Sequence, residues 1–206
     1  MKKIVFTICL AVICLAFTTK SNAQISVGVR GGIAMPLGDI AKDYPTGLGM
    51  GMGFGGGVIG KFALNQTISL GLAYDFQSFK SGDIEIASGV AKFNYKWTIM
   101  PIVGQIDYYF AKEGFRPYAG LEAGLYMFKF TIPAQDIVYN GVTIGKSQEV
   151  STTDSKIGFA PRVGFNYSLS KALDLNVEAK YTYVLTDKPV YTSLGFNVGI
   201  LYNLGK

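Results

Sequence analysis

Apolar and polar residues alternate one by one along eight stretches of this chain. The clearest stretch runs from Leu173 to Leu185, where leucine, valine, alanine and tyrosine occupy every odd position. Aspartate, asparagine, glutamate, lysine and threonine occupy the even positions as far as Thr182. Because successive side chains of a β-strand point to opposite faces, each stretch predicts a strand with one apolar and one polar face.

The predicted strands follow one another with alternating connections, long loops on one side and tight turns on the other. They cover residues 25–34, 50–63, 67–79, 93–110, 115–130, 156–169, 173–185 and 191–204. This layout is typical of outer-membrane barrels, and an even strand number places both termini on the side of the turns. Pro101 lies inside the fourth stretch and predicts a bulge or an edge irregularity, because proline cannot donate a ladder hydrogen bond.

The longest connection, residues 131–155, contains Asn140-Gly141 between two β-branched runs. Asn-Gly is the strongest short signal for a hairpin turn. We expect a small hairpin that extends the fifth and sixth strands beyond the membrane, and a plain flexible loop is the alternative.

The N-terminal segment has the features of a secretory signal. Lys2 and Lys3 precede an apolar stretch, Ile4–Phe17, that is too short to span a bilayer as a helix. Small residues in Ser21-Asn22-Ala23 then fit a cleavage site. We predict a signal peptide over residues 1–23 and a mature barrel domain over 24–206. A lipoprotein signal ending before Cys14 is the less favoured alternative.

Cleavage would change the available chemistry. Both cysteines, Cys9 and Cys14, lie in the signal, and the chain contains no histidine. The mature chain would therefore lack thiol nucleophiles, disulfides and histidine bases, and we predict no enzymatic activity, cofactor or metal. Three lysines leave with the signal, so the net charge falls from +5 to +2 and does not favour nucleic acid binding.

The composition of the polar face indicates which face meets which environment. In the second strand region, residues 47, 49, 51, 53, 55 and 57 are all glycine. A crowded lumen favours glycine, whereas a water-facing outer surface favours charged residues. The apolar face is therefore predicted to meet lipid, and a soluble lipocalin-like carrier is the alternative. The match of 51–56 to G-x-G-x-x-G is accidental, because a strand rather than a helix follows.

Charged residues on the predicted lumen face are balanced, five basic against five acidic. They are Arg30, Lys61, Arg116, Arg162 and Lys180, and Asp75, Asp107, Glu122, Asp174 and Glu178. Ionised groups in a narrow lumen are costly unless paired, so we predict a plug of ion pairs rather than an ion-selective pore. Loss of Glu122 is expected to leave a basic neighbour such as Arg162 unpaired. An acid–base pair of Asp75 with Asp107 or Glu122 is the less favoured interpretation.

Aromatic residues gather near both ends of the predicted strands, which predicts two girdles at the membrane interfaces. On the loop side they are Tyr74, Phe76, Phe79, Phe93, Tyr95, Trp97, Phe128, Phe130, Tyr181, Tyr183 and Tyr191. On the turn side they are Phe62, Phe110, Phe115, Tyr118, Tyr167 and Tyr202.

With these motifs the chain resembles the small outer-membrane β-barrel family that includes OmpA-type transmembrane domains. The resemblance is carried by Ser21-Asn22-Ala23, by the phrase at 31–39, by Phe115-Arg116-Pro117-Tyr118-Ala119-Gly120 and by Gly195-Phe196-Asn197-Val198-Gly199. It implies an all-β, eight-stranded antiparallel up-and-down transmembrane barrel. Such barrels usually end on an aromatic residue that the insertion machinery reads, a role left here to Tyr202.

The sequence thus predicts an integral protein of a Gram-negative outer membrane with both termini in the periplasm. Its expected partners are outer-membrane lipids, the barrel insertion machinery and an unknown ligand or surface partner at the long loops. The expected role is structural or one of surface interaction, with the lumen plugged. A narrow channel for small or hydrophobic solutes is the alternative function.

Overall fold

Eight long strands form one closed antiparallel barrel, and two short hairpins accompany it. In this computed structural model the described residues are 24–42, 49–81, 84–86, 91–93, 95–134, 136–139, 142–186 and 190–204. The strands are β1 (Ile25–Leu37), β2 (Met50–Ala63), β3 (Ile68–Ser81), β4 (Ile84–Ile86), β5 (Ala91–Phe93), β6 (Lys96–Tyr109), β7 (Phe115–Ile132), β8 (Asp136–Tyr139), β9 (Val142–Lys146), β10 (Val150–Ser168), β11 (Leu173–Val184) and β12 (Tyr191–Leu204).

The barrel closes in the order β1-β12-β11-β10-β7-β6-β3-β2. Ile25 at the start of β1 pairs with Leu204 at the end of β12, so both ends of the barrel lie on the rim of the short turns. The eight predicted strands are confirmed, with shifted ends: β10 begins at Val150 and β6 at Lys96. The predicted signal peptide lies outside the described residues.

The two faces of the wall have the predicted contents. Along β11, Asp174, Glu178 and Lys180 are buried inside the barrel, while Leu173 and Tyr181 are exposed on its outer surface. The same separation holds around the described wall, and Leu72 on β3 is 71% exposed. An apolar outer surface suits hydrocarbon, whereas a soluble carrier would bury it, so the lipocalin-like alternative is wrong. Among the described residues, no helix is long and apolar enough to cross a membrane.

The glycines of β2 leave room for side chains of the neighbouring strand. A Cβ on Gly53 would meet the ring of Phe79 at 2.5 Å, and one on Gly57 would overlap the carboxylate of Asp75. Gly49 and Gly51 are also buried, and position 47 lies outside the described residues. The segment matching G-x-G-x-x-G is therefore a lumen-lining strand, and a turn and another strand follow it.

Pro101 interrupts the β3–β6 ladder, which is an irregularity of the kind predicted, but no register shift occurs and there is no bulge. In the β3–β6 ladder, the last pair before the break is Tyr74 with Ile102. The first pair after it is Gln77 with Ile99, and the register is the same on both sides of the break. The missing N–H of proline removes a hydrogen bond, while the continuous ladder to β7 holds the strand in register. The β2–β3 ladder instead shifts register between Met50 and Gly53.

The predicted hairpin in the longest connection is present, but it does not extend the barrel strands. β8 and β9 pair with each other as a separate two-stranded sheet, and the turn residues 140–141 lie outside the described part of the chain. The extension is made by β7 and β10 themselves, which remain paired as far as Ile132 and Val150. A second separate hairpin, β4–β5, was not predicted.

The barrel lumen as the candidate functional site

All ten charged residues predicted to line the lumen point into the barrel and take part in ion pairs. All but Arg116 are buried. Eight of them form one central network: Arg30, Lys61, Asp75, Asp107, Glu122, Arg162, Glu178 and Lys180. Arg116 and Asp174 form a separate pair nearer the turn rim.

Arg162 is the centre of one half of the network. Its guanidinium donates to Asp107 Oδ1 and to Glu178 Oε2, at 2.5 Å in each case. Lys61 Nζ lies 3.0 Å from the other oxygen of Asp107. Arg162 therefore ties β10 to β6 and β11 inside the lumen.

Arg30 is the centre of the other half. It binds Asp75 with two nitrogens, at 2.8 and 2.5 Å, and reaches Glu178 Oε1 at 3.1 Å. Lys180 Nζ donates to Glu122 Oε1 at 2.7 Å. Since Glu178 contacts both arginines, it joins the two halves into a continuous alternation of cations and anions.

The partner of Glu122 differs from the expected one. Lys180, not Arg162, makes the direct ion pair with Glu122, and Arg30 Nη2 lies 4.0 Å from its other oxygen. Arg162 is instead occupied by Asp107 and Glu178. Parity along a strand places residues on the lumen face but does not say which of them meet across it.

Charges from opposite walls meet at the barrel axis. β11 and β3 are diametrically opposite in the strand order, yet Lys180 Nζ lies 3.7 Å from Asp75 Oδ2. β1 and β7 are also opposite, and Arg30 lies 4.0 Å from Glu122. The lumen is therefore filled by ion-paired side chains at this level.

Neutral side chains add hydrogen bonds to the buried carboxylates of Glu178 and Glu122. Tyr118 donates to Glu178 at 3.1 Å, and Tyr126 and Gln105 donate to Glu122 at 3.2 and 3.0 Å. A buried ion pair is tolerated only when such bonds satisfy its remaining lone pairs. Sequence reasoning missed these residues, although they share the inward parity of Glu122 on β7 and of Asp107 on β6.

A second polar group lies near the turn rim, where the chain ends meet. Arg116 donates to Asp174 at 2.7 Å, and Asn203 donates to the same oxygen at 3.2 Å. Ser26 in turn donates to Asn203 at 2.6 Å. These contacts link β7, β11, β12 and β1 and hold the closing seam of the barrel.

Several aromatic residues assigned to the outer girdles lie inside the barrel instead. Phe79 and Phe128 pack edge-on against Tyr191, with ring centroids 6.3 and 5.3 Å apart, and all three are buried. Tyr95 and Tyr118 are buried too. These residues share strand parity with lumen residues. The girdle prediction grouped aromatic residues by their position near the strand ends and did not use this parity. Other girdle residues are exposed on the outer surface as predicted: Tyr74, Phe76, Phe110, Phe115, Tyr167, Tyr181 and Tyr202.

The inward aromatics form an apolar layer on the loop side of the charge network. Met50, Ile99 and Val184 belong to the same buried cluster, and Trp97 packs against it. A small cavity lies nearby, lined by Gly32, Ala34, Gly55, Asp75, Gln77 and Asn197, among others. In the part of the chain that is described, no group of histidine, cysteine or acidic residues is placed to hold a metal ion. The arrangement is that of a sealed interior.

Comparison with known proteins agrees with this architecture. The sequence profile of the outer membrane protein beta-barrel domain family matches residues 6–203. No curated protein sequence gives a match.

Solved structures with the same fold are distant in sequence. Neisserial surface protein A (NspA) is 16% identical, with a TM-score of 0.52 over 89% of this chain and 98% of that one. Ail of Yersinia pestis, in complex with the heparin analogue sucrose octasulfate, is 14% identical, with a TM-score of 0.51 over 88% and 99%. A major outer membrane protein of Thermus thermophilus is 14% identical, with a TM-score of 0.52 over 88% and 99%. With its closed eight-stranded barrel and apolar outer wall, this chain belongs to the outer membrane protein β-barrel domain family and is a protein of the Gram-negative outer membrane.

Proposed function

We propose that this barrel is a non-enzymatic, non-conducting protein of the outer membrane that acts through its loop-side surface. The observation that carries the proposal is the contact of opposite walls across the lumen, Lys180 with Asp75 and Arg30 with Glu122. An interior closed by salt bridges leaves no path for solutes, so contact with the surroundings falls to the surface beyond the membrane.

The loop side of the barrel carries exposed structure that could make such contact. β7 and β10 extend as a paired ribbon, and residues 150–155 at its end are exposed. The Ail structure, which shares this fold, holds a heparin analogue. We propose that the loop side of this protein likewise receives an external ligand or surface partner.

The orientation follows from the same proposal. Signal cleavage before Gln24 leaves residues 24–206 as the mature barrel, with both termini and the short turns in the periplasm. The insertion machinery then reads the last strand, where Tyr202 supplies the exposed aromatic residue near the C-terminus. Outer-membrane lipids surround the apolar wall.

Electrical recording in planar bilayers tests the sealed lumen. The purified, folded barrel is expected to give no stable openings, in contrast to a wide porin recorded in the same bilayers. Large, stable and ion-selective openings would overturn the proposal and support the channel function.

Labelling tests the orientation. The mature chain has no cysteine, so Gln148→Cys in the exposed segment before β10 and Lys171→Cys on a tight turn provide unique sites. A membrane-impermeant maleimide applied to intact cells is expected to label position 148 and not position 171. The opposite pattern would invert the topology.

A further inference from the structure

The outer surface at the loop end of β6, β7 and β10 is polar and basic. Six outward positions define this lysine–hydroxyl face: Lys96, Lys129, Thr131, Ser151, Thr153 and Ser155. Their outward direction follows from the strand register, because they share parity with the exposed residues Ile102, Leu125 and Ile157.

The face begins where the lipid-facing apolar band ends. Met100 and Met127 are paired on β6 and β7, and Lys129 follows Met127 on the same side of the strand. Two residues along a strand correspond to roughly 7 Å, so this ammonium group lies at headgroup level rather than far out in water. Lysine at such a position keeps its stem along the apolar surface and its charge among polar headgroups.

Among the described outward strand positions at the loop rim, the lysines lie on one side of the barrel, whereas the opposite side carries the single aliphatic hydroxyl of Thr192, which donates to the carbonyl of Leu37. At the loop ends of β1 and β2 the outward residues are Met35 and Met52, and Leu185 follows β11; all three are exposed. A rim that only needed to contact water would be polar all around. The lysine–hydroxyl face is therefore a local feature.

The two lysines are placed to act together. Lys96 pairs with Thr131, and Thr98 pairs with Lys129, which makes the lysines diagonal neighbours on adjacent strands, roughly 7–8 Å apart at Cβ. Neither makes an ion pair or hydrogen bond within the described part of the chain. None of the six positions is acidic: Asp154 of β10 has the opposite parity and pairs with Lys156, and the exposed Glu149 precedes the strand.

We propose that the lysine–hydroxyl face binds the phosphate groups of a phosphorylated glycolipid in the outer leaflet. The two ammonium groups neutralise the phosphate, and the hydroxyls of Thr131, Ser151 and Thr153 bond its oxygens and the sugar. Charge complementarity and the headgroup-level position select a lipid over a soluble partner. The inference rests on the proposed orientation, which places this rim in the outer leaflet.

Native mass spectrometry of lipid-free, refolded protein in detergent tests this site. The ligands are bisphosphorylated lipid A, its dephosphorylated form and soluble sucrose octasulfate, with inorganic phosphate as competitor. The double variant Lys96→Gln/Lys129→Gln is expected to weaken lipid A binding roughly tenfold or more, since each lysine near an anionic surface contributes about 1 kcal/mol. Lys112→Gln/Lys171→Gln, two exposed lysines at the turn rim, is the matched control and should bind as the unmodified protein does.

Each outcome has a distinct meaning. Equal lipid A binding by the double variant and the control, both shown by circular dichroism to be folded, would overturn the inference. Equal binding of dephosphorylated lipid A, full displacement by inorganic phosphate alone, or a loss confined to sucrose octasulfate would each overturn it as well. The proposed orientation is judged separately by labelling at position 148, which lies outside the lysine–hydroxyl face, so the two can fail independently.

Discussion

At the scale of single residues, the lumen depends on pairs of charges that water cannot reach. Glu122 is fully buried, and its carboxylate accepts hydrogen bonds from Lys180, Gln105 and Tyr126. A charge held in this way gives little net stability by itself, but its removal leaves an uncompensated partner in a region of low polarity. The contribution of each pair therefore appears most clearly when one partner is removed alone.

We expect Glu122→Gln to lower the free energy of unfolding by about 3–5 kcal/mol, because the ammonium group of Lys180 loses its nearest anion. The double variant Glu122→Gln/Lys180→Met should cost less than the sum of the single changes by roughly 0.5–3 kcal/mol. Urea titration in detergent measures both quantities.

The control for this cycle pairs Glu122→Gln with Arg116→Gln, because Arg116 belongs to the separate pair with Asp174. These two changes should be additive to within about 0.5 kcal/mol. Additivity for Glu122 and Lys180, or strong coupling of Glu122 with Arg116, would contradict the assigned pairing.

At the scale of the element, β2 shows how one strand shapes the lumen by lacking side chains. Its inward positions from Gly51 to Gly57 are all glycine, and the opposite wall supplies the bulky residues Tyr118, Tyr126 and Arg162. Glycine weakens a strand in isolation, but here it admits Phe79 and Asp75 from β3. The cost in intrinsic strand propensity is offset by packing of the charge network and the apolar layer.

The two faces of β2 should respond differently to the same substitution. Gly57→Ala places a methyl group against the Asp75 carboxylate and is expected to destabilise the barrel by about 1–3 kcal/mol. Gly60→Ala, on the outer face of the same strand with nothing within 4 Å of its Cβ, is expected to be neutral or slightly stabilising. Urea titrations that show equal losses would argue against the in–out assignment of this strand.

At the scale of the whole molecule, the charges that cross the lumen join all barrel strands but β12 by ion pairs. This network is buried, whereas ion pairs such as Lys42 with Asp39, 2.7 Å apart outside the barrel wall, are exposed. The Lys42 ammonium group lowers the pKa of Asp39. Salt screens exposed pairs strongly and buried pairs much less.

We therefore expect the unfolding free energy in a non-ionic detergent to change little as the salt concentration rises from about 0.05 to 0.5 M, because buried pairs are poorly screened. Urea titration at several salt concentrations measures the unfolding free energy. The same titrations on Glu122→Gln show how its salt dependence compares with that of the unmodified protein. A large, continuous loss of stability with salt would mean that water enters the lumen and that the network is not sealed.

The sequence by itself determined the number of barrel strands, their order along the chain and the inward face of the ten lumen charges. This was possible because the alternation of side chains in a strand is a local property with a period of two. The same rule would have placed Phe79, Phe128 and Tyr191 inside the barrel, since they share parity with lumen residues on their strands. The error came from grouping them by their position near strand ends.

Only the tertiary structure decided which lumen residues meet. The pairing of Glu122 with Lys180, and the contact of Lys180 with Asp75, join strands far apart in sequence. These contacts depend on closure and on the register of every intervening strand, which local alternation does not specify. For the same reason the sequence could not decide between a bulge and an irregularity at Pro101: the ladder to β3 is interrupted, but the continuous ladder to β7 holds the strand in register.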